Sequence, residues 1–438
     1  MRFQTIKLLT RGSNKKRLAS LLPVIAFAIT TFITVFTTVF SYNIWNAANG
    51  RADYQVLAIV LAAFMLVPVF SLTSATAKFN RKQQQVLLAS LGIIGATRNK
   101  LLIIVSYQTL KTALSGLIIG TALAIGISPI LTLLSISDKR LKGIYNMPIW
   151  LSILLCITIL IIALINAFME AMPVIKRPLE VRLSIVNQNA RIIRLVFGAV
   201  IVISCLLIFH FMSLSWGAFG ITVVLISALL ALHGLMGIIG PYILSLLTRL
   251  TVKKEQDITK IVAKRRILES PQSAWRQVSI VALMSFTTVI IGSALGFLSA
   301  VRKDSRSNIN TSQIQFFADI RTVAIFLLFM TFLSLASSVI ISQLIDIVDR
   351  KDLYHNLSLI GTPAMQIQKI RQRALTMPLL LAVFGGSIVA GFLILPAFVT
   401  TLLISPIFVV LMFVTLLSGI ALVWLAVTVS YPVLLAEI

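Results

Sequence analysis

The chain has 438 residues, 58% of them hydrophobic and 12% charged, with 38 Lys and Arg against 13 Asp and Glu. A soluble domain carries about 25% charged residues, so the polar surface is too small for a soluble enzyme, and disorder is excluded because it requires low hydrophobicity. The composition is that of a polytopic membrane protein, in which the net charge of +25 bears on topology before it bears on nucleic acid.

Residues 1–17 read as a leading cytoplasmic helix. Phe3, Ile6 and Leu9 share one face and Lys7, Arg11 and Lys15 another, the pattern of an amphipathic helix on a membrane surface; an ordinary basic anchor reads the same way. A membrane-crossing helix needs about 20 mostly apolar residues. Leu18–Gly50 and Tyr54–Ala77 each hold one, Leu101–Ser137 a third and Gly143–Met169 a fourth. The run Leu195–Thr248 is broken at Ser213–Gly217 into a fifth and sixth. Gln277–Val301 and Thr322–Ile345 are the seventh and eighth, and Ala374–Ala436 holds two more around a turn bracketed by Pro396 and Pro406. The first run is too long for a signal peptide, and no small-residue cleavage site follows it. Cys156 and Cys205 lie in apolar runs and make neither a disulfide framework nor a metal-ligand spacing.

With a cytoplasmic N-terminus, the cytoplasmic segments carry 29 Lys and Arg and the outer segments 8. That bias over short loops places both termini in the cytoplasm. The longest outer loop, residues 302–321, is too small for a folded domain.

Two cytoplasmic segments are alike. NRKQQQVLLASLG (80–92) and DRKDLYHNLSLIG (349–361) superpose at an offset of 269, which pairs Leu88 with Leu357, Gly92 with Gly361 and Gly116 with Gly385. Each sits between the second and third helices of a four-helix set, spans one to four and seven to ten, so the repeat is parallel. The expected fold is all-α, about ten transmembrane helices in two parallel four-helix repeats (18–190 and 277–438), joined by a two-helix linker (191–250) and a cytoplasmic segment (251–276). In each link a basic start leads to a short amphipathic helix ended by glycine: Leu87, Leu88 and Leu91 before Gly92 or Gly95, and Leu353, Leu357 and Leu359 before Gly361. Such a helix lies on lipid or docks in a partner's groove; its recurrence at equivalent places suits a partner.

Among single residues, Lys111 sits inside the third span. It either snorkels or pairs with Glu170 near the end of the fourth, the alternative being a functional charge. Glu170 is the only carboxylate placed close to a span interior, which argues against a proton relay. Gly116 with Gly120 and Gly292 with Gly296 are Gly-x-x-x-Gly pairs, and Gly385 and Gly386 crowd the ninth span; small residues let helices approach closely. Phe32, Phe36 and Phe40 form a stripe read as lipid-facing. His210 and His233 read as packing histidines. No phosphate-binding Gly-Lys-Ser/Thr loop, zinc-protease motif or paired membrane aspartates occurs, so no catalytic or metal residue is assigned.

The stretch RKQQQVLLASLGIIGATRNKLLIIVSYQTL (81–110) resembles the signature of FtsX-like ABC transporter permeases, in which a basic start, a Leu-rich helix and Leu-Gly-Ala-Ser/Thr-Arg lead into the third span. Leu91-Gly92 and Gly95-Ala96-Thr97-Arg98 both echo that motif, and Leu359 to Pro363 match its spacing in the second copy. MPVIKRPLEVRL (172–183) resembles the family's close after the fourth span. The ten-helix form resembles the antimicrobial-peptide resistance permeases, which carry a large outer domain where this chain has residues 302–321 alone. The resemblance implies a permease of the MacB type that exports or extracts an amphipathic substrate: an antimicrobial peptide, a lipid or a lipophilic drug. It implies a separate cytoplasmic ABC ATPase, as a dimer, that binds ATP and magnesium and touches Leu87, Leu88, Leu91, Gly92, Gly95 and Arg98 and, in the second copy, Leu353, Leu357, Leu359, Gly361 and Met365. The remaining partners are membrane lipid and a second or related permease, with no nucleic acid. An ion-coupled secondary transporter and a non-transporting scaffold are the other readings.

Overall fold

A computed structural model describes residues 17–47, 51–136, 139–143, 147–176, 236–237, 239–304, 311–349 and 351–431. They form α1 (Arg17–Ala47), α2 (Ala52–Ile93), α3 (Arg98–Ile127), a 3-10 turn (Ser128–Leu133), the short strands β1 (Ser135–Ile136) and β2 (Lys139–Arg140), and α4 (Ile149–Lys176). After α5 (Ile239–Val252) come α6 (Ile258–Glu269), α7 (Pro271–Asp304), α8 (Thr311–Asp349), α9 (Lys351–Leu359), α10 (Ala364–Leu393), α11 (Leu395–Ile404) and α12 (Pro406–Val429). Seven of the described helices (α1, α3, α4, α7, α8, α10 and α12) are long and apolar enough to cross a membrane. The protein is therefore an all-α multi-pass membrane protein. The predicted leading helix, the fifth span and most of the sixth lie outside the described residues.

α2 runs unbroken for 42 residues, through the predicted second span and on through the first link, so the expected short link helix is its continuation. Pro68 lies within it. The turn expected between Pro396 and Pro406 is a helix of its own, α11, because both prolines sit at helix N-termini, where a missing N–H costs nothing.

The chain divides into two compact units. The first comprises 1–43, 65–134 and 140–187, the second 44–64, 135–139 and 188–438; α2 thus contributes residues 52–64 to the second and 65–93 to the first.

In the first unit α3 lies directly on α1. A Cβ at Gly120 would fall on the Ala28 carbonyl oxygen and the Thr31 side chain, and one at Gly116 on Phe27. Phe27, Ala113 and Ala163 close the packing with α4. Five α1 threonines (30, 31, 34, 37 and 38) return their hydroxyls to the carbonyl four residues back at 2.7–2.8 Å, which keeps polar groups satisfied where water is scarce. Asn166 donates to the Thr73 hydroxyl at 2.8 Å, joining α4 to α2. Asn43 accepts from the Lys142 N–H at 3.0 Å and donates to its carbonyl at 2.8 Å, pinning the end of α1 to the loop after β2. Phe36 and Phe40 are buried and Phe32 stacks on Phe36, so the aromatic stripe is mainly internal packing rather than a lipid face.

The second unit is built around α7, whose apolar stretch is mostly buried where that of α12 is mostly exposed. Its cluster joins Trp275, Val278, Val281 and Ala282 of α7 to Leu335, Leu379, Ala382 and Val423. The crossing of the first unit recurs here: a Cβ at Gly386 would fall on the Ala282 carbonyl oxygen and the Ser285 side chain. Gly292 and Gly296 lie against Met412 and Thr401. Gly385 departs from the expectation, because its Cβ position meets open space; one residue later is the side of α10 that faces α7. The partner of Gly120 is therefore Gly386, an offset of 266.

Candidate functional site

Both links end in the same turn. Gly95 and Gly361 have φ of 95° and 89°, the left-handed region that only glycine enters without strain. Around each, the Ala96 N–H donates to the Leu91 carbonyl at 2.9 Å and the Thr362 N–H to the Leu357 carbonyl at 3.0 Å. These are the six-to-one bonds of a Schellman cap. The turn equates Leu91 with Leu357 and Gly95 with Gly361, again an offset of 266. The 269 register, which pairs Gly92 with Gly361, is corrected: the helix runs through Gly92 and stops at Gly95.

Burial sorts the predicted contact residues into two groups. Leu88 is 1% exposed and packs with Leu101, Val105, Ala167 and Ala171, with Leu91 half-buried beside it. Leu357 is half-buried on Ile347, Tyr354 and Ile367. These leucines seat the turns on the chain's own helices. What projects is Arg98, Leu353, Leu359 and Met365, together with Ile93, Ile94 and Ile360. Ile94 and Ile360 are 79% and 81% exposed and equivalent at the offset of 266. Ile93 and Ile94 escaped prediction because the helix end was left open between Gly92 and Gly95; the pattern apolar-apolar-Gly, Ile93-Ile94-Gly95 and Leu359-Ile360-Gly361, is the signal that finds them. The side chains of Leu87, Gly92 and Glu170, and residues His210 and His233, lie outside the described set. Lys111 is exposed on α3, and its expected pairing with Glu170 falls outside that set too.

Beneath the second turn lies an ionic joint. The Asp346 carboxylate, 5% exposed, accepts from Arg266 Nη2 at 2.5 Å, Gln277 Nε2 at 3.1 Å and the Tyr354 hydroxyl at 3.2 Å. Arg371 Nε stands 3.9 Å away. Arg371 donates onward to Gln368 at 3.1 Å and to Ser430 at 3.2 Å, and Gln368 to the Val427 carbonyl at 2.8 Å. The carboxylate thus gathers α6, α7, α9 and α10, with α12 one step removed. Burial alone would lower the Arg266 pKa; the charge of Asp346, then Tyr354, outweighs it and holds the guanidinium above its ordinary value. The Arg266 guanidinium also lies over the Tyr354 ring, 5.9 Å from its centroid.

α6 is held at its start as well. Asp257 caps it, accepting from the Thr259 N–H at 2.9 Å, and pairs with Arg373 Nη1 at 2.5 Å. The Thr259 hydroxyl foremost, then Arg373, hold the Asp257 carboxyl down at about 2. Glu255 is lowered by Lys264 and Lys260.

Glu170 is not alone near a span: Asp346 and Asp319 both belong to the eighth. Helix α8 extends beyond its charge-free run at both ends. Tyr54 donates to Asp319 Oδ2 at 2.6 Å, with Phe316 edge-on to the Tyr54 ring. Both carboxylates are therefore engaged by neighbours. Among the described residues no three His, Cys, Asp or Glu side chains come close enough to share a metal ion.

Residues 58–179 match the family model described as FtsX-like permease C-terminal. The matched stretch holds most of α2, the first turn, α3 and α4. No curated protein matches the chain. Residues 58–179 of this helical multi-pass membrane protein are thus similar to the C-terminal region of FtsX-like permeases.

Proposed function

We propose that the chain is the membrane-embedded permease subunit of an ABC transporter and that the Gly95 and Gly361 turns are where a separate cytoplasmic ATPase, as a dimer, docks. The observation that carries this is the pair of turns: the same cap, the same offset, and large apolar side chains projecting from each. Permeases of this family generally work with an ATPase, and two similar projections suit two subunits of one. ATP and magnesium belong to that partner. The 29-to-8 bias puts the turns and both termini in the cytoplasm. The substrate is an amphipathic molecule (an antimicrobial peptide, a lipid or a lipophilic drug) that is exported or extracted from the bilayer. An apolar groove of about 490 Å³ along α5, α7 and α10, lined by Ile243, Leu247, Trp275 and Phe384 among others, supports an apolar cargo. The ion-coupled reading has little support, since Asp346 is salt-bridged and Asp319 hydrogen-bonded.

The test is co-purification with the cognate ATPase and measurement of ATP hydrolysis. Replacing Ile94 and Ile360 together by Glu is expected to abolish association while leaving insertion intact. Retained association would remove the turns from the interface. Leu88→Glu is unsuited to this purpose, because it would bury a carboxylate inside the first unit.

A further inference from the structure

The seats of the two turns share a backbone and differ in chemistry. Seven residues before the turn glycine stands Leu88 in the first unit and Tyr354 in the second; both are buried. Six residues after it stand Leu101 and Ile367, again both buried. Ten residues after it stand Val105 and Arg371. Of these three, the two that are polar in the second unit, Tyr354 and Arg371, are the two that reach Asp346.

We propose that displacement of the second turn is relayed to α6 and α7 through the Tyr354 hydroxyl and the Asp346 carboxylate. This rests on the reading of the turns as ATPase-docking elements. Apolar packing is non-directional and accommodates small shifts among residues of similar volume. A charge-assisted hydrogen bond in a buried setting is short and directional, and losing its geometry leaves an uncompensated buried charge. Asp346 has little freedom to follow α9 independently. It is held by Arg266 on α6 and Gln277 on α7 and flanked by Arg371, itself bonded to Gln368 and Ser430. A shift of α9 therefore moves the set together or breaks it. Tyr354 is a positioning residue here, acting through Asp346.

The experiment uses the full chain reconstituted with its ATPase, reading the affinity for the ATPase and the maximal stimulated hydrolysis rate separately. Tyr354→Phe keeps the ring in its cluster and removes the hydroxyl. It is expected to leave the affinity unchanged and to lower the stimulated rate by about tenfold, the scale of one hydrogen bond to a charged group. Arg266→Lys, which keeps the charge and loses the planar fork, is expected to show the same split. Leu101→Met, a volume-conserving change in the first seat, is expected to change neither quantity. Wild-type rates in both Tyr354→Phe and Arg266→Lys would overturn the relay, as would an equal rate loss in Leu101→Met. If wild-type chain neither binds nor stimulates the ATPase, the docking reading itself falls; binding with normal coupling in the variants defeats only the relay.

Discussion

Gly95 and Gly361 are where single residues decide local shape. A Cβ at either meets no atom within 4 Å, so alanine there is opposed by the left-handed backbone alone. Gly95→Ala and Gly361→Ala are each expected to cost about 1–2 kcal/mol, read as increased amide exchange in the preceding helical turn rather than as global unfolding. Asp257 gives a second test at this scale. Its carboxyl is lowered to about 2 from an ordinary 3.8, so its contribution is fully present above about pH 4 and is lost as pH falls through about 2. The melting temperatures of wild type and Asp257→Asn should differ at pH 6 and converge at low pH, with the gap smaller in high salt because the Arg373 pair is partly exposed. Glycine spacing made the turns legible in the sequence. The choice between Gly92 and Gly95 was not legible, since it depends on the six-to-one bond that closes on Leu91, a residue held by tertiary packing.

Helix crossings dominate the next scale. α3 on α1 and α10 on α7 meet at one geometry, with Gly120 and Gly386 over the carbonyls of Ala28 and Ala282. Without a hydrophobic force between helices in lipid, such close approach is what packs them. Gly120→Leu and Gly386→Leu are each expected to destabilise the protein by roughly 3 kcal/mol or more, toward the upper end of overpacking costs. Gly385→Ala, where the Cβ position is open, is expected to change stability by less than about 0.5 kcal/mol. Thermal stability in detergent or nanodiscs checks all three. The small-residue pattern announced these contacts but could not say which of two adjacent glycines faces inward. The ionic joint was invisible for another reason: Arg266, Asp346 and Arg371 fall in cytoplasmic segments that the charge count takes only as a sum, and Arg266 lies 80 residues from Asp346 in sequence.

For the molecule as a whole, hydropathy and charge bias gave the fold class and the membrane assignment with no tertiary information, because a bilayer imposes helices of a set length. Topology is tested by labelling. In a chain freed of Cys156 and Cys205, single cysteines at 94 and 360 are expected to react with an impermeant reagent from the cytoplasmic side, and one at 142 from the opposite side. Reaction of 94 and 360 from opposite sides would exclude the parallel repeat.

The course of α2 has a mechanical consequence. The chain passes from one unit to the other inside this helix, between residues 64 and 65. Four residues on from Phe64, Pro68 has no N–H to offer the Phe64 carbonyl. A position with one helical hydrogen bond fewer thus lies beside the boundary between the units. α2 is in that sense an articulated strut rather than a rigid rod, able to flex there without giving up a backbone hydrogen bond, and Pro68→Ala, which restores the missing N–H, would stiffen the articulation.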